Sequence, residues 1–143
     1  MRLLVIGYGN ELRGDDGVGP RVARAVHAWR MPGVVARATH GLAPELAEEL
    51  ARAESVVFVD ARAGAEGGLE VVELVPGPPA GLGHASEPRW LLGLAESLWG
   101  HRPRAWLLTV PAERLGVGEG LSEMGARGLA DALTEIRGMA QRA

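Results

Sequence analysis

Apolar runs of strand length alternate along this chain with stretches of helical period, and that alternation admits few folds. A strand that returns to the same sheet through a helix must pair parallel to its neighbour, so the pattern predicts an α/β domain with a mostly parallel five-stranded sheet covered on both faces. The expected strands are Leu3–Ile6, Val34–Ala36, Ser55–Asp60, Leu69–Leu74 and Ala105–Val110. Between the first two, Val18, Val22, Val26 and Trp29 share one helical face, on a helix that Pro20 can begin. Pro44 opens a short helix and Pro88 a longer one, while Met124 to Met139 carry the apolar spacing of a C-terminal helix. The mixed pattern of Leu69–Leu74 suits an edge strand, antiparallel to the rest.

The 143 residues suit one domain spanning 1–143, with no internal repeat or linker. No apolar stretch reaches the roughly 18 residues of a membrane span. The run after Met1-Arg2 stops at Gly7 without a cleavage site, so it reads as a strand rather than a signal peptide, and the expected location is cytoplasmic. The chain has no cysteine, which removes thiol nucleophiles, zinc fingers and disulfide scaffolds. A net charge of -3 leaves no basic footprint for nucleic acid.

Only four aspartates occur, and three of them, Asp15, Asp16 and Asp60, fall after or at the end of expected parallel strands. Ligands of open α/β sheets bind beyond those strand ends. Helix or turn capping would account for the same residues without any chemistry. The segment Gly7 to Gly19 weighs against that bland reading, because five glycines in thirteen residues exceed the needs of a simple strand-to-helix turn. It is not a dinucleotide fingerprint, since Leu12 stands where the third glycine is required, nor a P-loop, since the chain has no lysine. A phosphoacceptor receiver domain places acidic residues similarly but needs a lysine after its last strand, where this chain offers Thr109 and Val110.

Two carboxylates converging in a crevice repel one another and either take up a proton or recruit a cation. His84, in the Pro/Gly-rich loop from Pro76, would complete a mixed oxygen and nitrogen set for nickel, zinc or another divalent transition metal. His40, after the second strand, could serve as a fourth ligand or support the others. His27 and His101 read as surface residues. Neither a Gly-x-Ser-x-Gly elbow nor a His-Glu-x-x-His helix is present, so the carboxylates remain the candidates for chemistry.

The motif Gly7-x-Gly9-Asn10-x-Leu12-x-x-Asp15-Asp16-Gly17-x-Gly19, with Val59-Asp60-Ala61 and Gly120-Leu121-Ser122, resembles the signatures of the hydrogenase maturation proteases. These endopeptidases trim the C-terminal extension from the large-subunit precursor of nickel-iron hydrogenases. The resemblance covers nearly the whole chain. It implies a three-layer αβα sandwich, catalytic roles for Asp16 and Asp60, and a metal set of Asp16, Asp60 and His84 that recognises nickel already carried by the precursor. The implied partner is that precursor or a related nickel enzyme. The same ligands would equally serve a non-catalytic nickel-binding or assembly-checkpoint protein. Thr39-His40-Gly41 departs from the acidic Gly-Thr-type loop frequent in the family after its second strand, and the stretch from His84 to Leu94 is longer than the compact His-x-x-Gly-Leu pattern of some members.

Overall fold

The computed structural model describes residues 1–64, 66–77, 87–118 and 120–142. Its elements run β1 (Leu3–Tyr8), a 3-10 turn (Gly14–Gly17), α1 (Val18–Ala28), β2 (Val34–Thr39), α2 (Leu46–Ala51), β3 (Ser55–Ala63), β4 (Glu70–Leu74), α3 (Pro88–Trp99), β5 (Arg104–Ala112) and α4 (Glu123–Arg142). The five strands form one sheet in the order β2-β1-β3-β5-β4. All pairings are parallel except the one between β4 and β5, so β4 is the antiparallel edge that its mixed composition suggests.

Successive strand residues point to opposite faces, and each face has its own helices to bury against. Leu3 and Val5 of β1, with Val57 and Val59 of β3, join Val22 of α1 and Ile136 of α4 in one core. Leu4, Ile6, Val56 and Phe58 join Leu50 of α2 and Leu91 of α3 in the other. The domain is therefore a three-layer αβα sandwich, and its inner strands read as continuous apolar runs because both faces are covered. No helix of the described residues is long and apolar enough to cross a membrane.

Two boundaries differ from expectation in ways that matter for the site. Strand β3 does not end at Asp60 but continues to Ala63. Its pairing with β1 stops at Gly7 opposite Val59, whereas its pairing with β5 runs on from Asp60 opposite Thr109 to Ala63 opposite Ala112. Asp60 is thus the first residue of β3 to stand clear of β1. Helix α1 begins at Val18, two residues before Pro20, because the 3-10 turn Gly14–Gly17 feeds straight into it. Proline at the third helical position loses no bond, as the first N–H groups of a helix have no internal acceptor.

That early start lays the first turn of α1 directly on the strand backbones. A Cβ on Gly19 would stand 2.6 Å from the Val59 carbonyl oxygen and 2.7 Å from the Tyr8 nitrogen. Gly19→Ala is accordingly expected to cost about 3 kcal/mol, the upper range for overpacking, because the obstacle is backbone and cannot rotate away. Urea unfolding at constant slope checks this, and a change under about 0.5 kcal/mol would contradict the packing account.

Candidate active site

Strand order reverses between β1 and β3, since the chain leaves β1 toward β2 on one side and returns to β3 on the other. The crevice above such a switch point is where open α/β sheets bind ligands. Asp16 reaches it from the 3-10 turn after β1, and Asp60 from β3 just past the end of its pairing with β1.

Asp16 is half-buried. Its Oδ2 accepts a hydrogen bond from the Asn10 backbone N–H at 2.7 Å, which leaves Oδ1 without a donor among the described residues. Asn10 is shaped for this task, because its own Oδ1 accepts the Leu12 N–H at 2.9 Å and closes a tight turn around the bond. Asp60 accepts the Ala61 N–H at 2.8 Å on Oδ1 and a further hydrogen bond from the Tyr8 hydroxyl. Burial raises the Asp60 pKa above the usual carboxylate range; those two hydrogen bonds oppose the rise, and the nearby negative charge of Asp16 adds to it. Burial, followed by the charge of Asp60 and the bond to it, pushes the Tyr8 hydroxyl well above its usual range, so it remains a donor.

Asp15 behaves differently from its neighbour. It is fully buried and accepts four hydrogen bonds: from the Glu113 N–H (2.9 Å), the Arg114 N–H (3.0 Å), the Ser122 N–H (2.7 Å) and the Ser122 hydroxyl (2.6 Å). Burial alone would raise its pKa, but the bonds from Arg114, Ser122 and Glu113 outweigh burial and hold it below the usual range. Asp15 is therefore a clasp between the β1–α1 connection and the one from β5 to α4. No side chain caps α1, so helix capping accounts for neither aspartate.

His40 is exposed and lines a groove of about 360 Å³ together with Asn10, Leu12, Pro20, Arg24 and Thr39. It does not join the two carboxylates, and no group of three or more His, Asp or Glu side chains able to hold a metal ion occurs among the described residues. His84, expected as the third ligand, lies outside the described residues.

No protein-family model matches this sequence, and no curated protein does. Solved structures do. A hydrogenase 2 maturation peptidase from Thaumarchaeota archaeon SCGC_AB-539-E09 is 27% identical with a TM-score of 0.74, the match covering 99% of each chain. An endopeptidase from Escherichia coli is 26% identical with a TM-score of 0.66, over 95% of this chain and 90% of that one. The hydrogenase maturating endopeptidase HybD from E. coli is 23% identical with a TM-score of 0.71, over 99% of this chain and 93% of that one.

The chain has the fold of the hydrogenase maturation proteases. The match to the archaeal peptidase covers 99% of each chain. Sequence reasoning overlooked Tyr8, although the signal was present: Leu4, Ile6 and Tyr8 share the face of the sheet on which Phe58 and Asp60 lie. It also took Asn10 only as part of a motif, without its role in holding Asp16.

Proposed function

We propose that this protein is an endopeptidase that removes the C-terminal extension of a nickel-containing hydrogenase large-subunit precursor. The observation that carries the reading is the convergence of Asp16 and Asp60 at the switch point of a fold that hydrogenase maturation peptidases share. Two carboxylates make an incomplete ligand set, which suits an ion that arrives already held by the substrate better than a resident one. In this reading nickel is the precursor's cargo. Asp16 offers its free Oδ1, Asp60 its carboxylate, and His84 is the proposed third ligand; another divalent transition metal would be read through the same oxygens. Asp60, with its raised pKa, is also suited to take a proton from an attacking water, while a carbonyl polarised by the cargo ion is the other way to open the bond. A cytoplasmic location belongs to the same reading.

The test is incubation with nickel-loaded and nickel-free precursor, followed by mass spectrometry. Loss of a C-terminal fragment from the loaded form alone is expected. Binding of loaded precursor with its mass unchanged would point instead to a checkpoint protein that uses the same ligands.

A further inference from the structure

Leu12 is 60% and Val117 90% exposed, although their surroundings are not loose chain. The Gly14 N–H donates to the Gly118 carbonyl at 2.7 Å, the Gly118 N–H to the Leu12 carbonyl at 2.8 Å, and the Asp15 N–H to the Arg114 carbonyl at 2.6 Å. Arg13 and Gly118 form a parallel bridge, so the residues that precede them, Leu12 and Val117, lie on adjoining segments. The Asp15 clasp anchors the same two segments from beneath. A well-braced frame thus holds two large apolar side chains mostly in water.

We propose that Leu12 and Val117 are the apolar anchor on which the folded precursor docks beside the carboxylates. The proposal rests on the function proposed above and names the surface that serves it. Continuity fixes the occupant. Leu12 also walls the groove that contains Asn10, and the Asn10 N–H holds Asp16, so a substrate brought to Asp16 arrives next to this corner. A groove walled by Leu12 on a braced backbone, with Val117 exposed on the adjoining segment, suits a protein surface. Other exposed apolar side chains, such as Val72 on β4 and Trp99 at the end of α3, lie on the outer edge strand and at the foot of a helix, away from the crevice. Exposed apolar side chains rimmed by polar groups mark protein-interaction sites.

The experiment compares Leu12→Asp, Val117→Asp and the conservative Val117→Ile in cleavage of nickel-loaded large-subunit precursor from the same organism over a range of concentrations. Each aspartate variant is expected to raise KM about tenfold and leave kcat and the melting temperature unchanged, while Val117→Ile keeps the wild-type KM. Unchanged KM in both aspartate variants, with cleavage intact, overturns the docking surface and leaves the proposed function standing. A fall in kcat at unchanged KM also overturns it, since the pair would then act on chemistry rather than on docking. If the wild-type protein neither cleaves nor binds the precursor, the proposed function falls and this proposal falls with it.

Discussion

Asp60→Asn is expected to abolish precursor cleavage and at the same time to raise the melting temperature at neutral pH. Loss of a positioned carboxylate that works on a proton or an ion lowers the rate by about 10²–10⁴-fold. The gain in stability follows from the same burial. An unfolded chain ionises this side chain near the ordinary value of about 3.9, but in the folded protein burial and the charge of Asp16 keep the proton on Asp60 to higher pH. A raised folded-state pKa means that stability is fully present below the unfolded value and is lost as pH rises through the folded one. Above that window the native state carries an ionised carboxylate it would rather hold neutral. Asparagine copies the neutral form, and its carbonyl still accepts from the Ala61 N–H. Melting curves of the two proteins should coincide below about pH 4 and separate above it, with the variant higher. Cleavage at the wild-type rate would remove Asp60 from the chemistry, and a lower melting temperature at pH 7 would contradict the account of its burial.

Much of the fold was legible because both sides of a parallel sheet are buried, which turns strands such as Val56–Val59 into unbroken apolar runs that punctuation separates from the helices. The antiparallel edge was legible for the complementary reason: Glu70 and Glu73 leave β4 exposed, bracketed by charge, and unsuited to an interior position. Strand ends were harder to read. Nothing local marks where β3 leaves β1, because its last residues Asp60–Ala63 are supported by β5, nearly fifty positions away. The glycines of residues 7–19 declared a tight segment without declaring its purpose. Gly19 serves a close crossing of α1 over two strands, which is a tertiary fact no window of sequence contains. The same holds for the two adjacent aspartates. Composition and spacing treat Asp15 and Asp16 alike, and only their partners, one set drawn from residues 113–122 and the other from Asn10, separate a clasp from a candidate ligand.

Replacing Asp15 gives the opposite signature to replacing Asp60. Asp15→Asn should lower stability by about 3 kcal/mol, or roughly 10 °C in melting temperature, because a buried polar network loses an acceptor and gains a donor that nothing can take. The geometry leaves asparagine no good orientation. One carboxylate oxygen receives the Ser122 N–H, and the other receives the Glu113 and Arg114 N–H groups and the Ser122 hydroxyl, so an amide turned either way aims its NH₂ at a backbone N–H. Nor can the helix shift to make room, since Gly125 of α4 packs its backbone against this carboxylate; a Cβ there would come within 2.8 Å of its Cγ. The pH dependence has the reverse sense to that of Asp60. A folded-state pKa below the ordinary value gives stability that is present above about pH 4 and is lost as pH falls through the depressed value, so the wild-type protein should lose stability across that acid range more steeply than Asp15→Asn does. The clasp also anchors the segments that carry Leu12 and Val117, so the KM for precursor should rise in this variant even at temperatures where it is fully folded. Full stability in Asp15→Asn, or an acid limb as steep as that of the wild type, would show that the four hydrogen bonds are not what holds the two connections together.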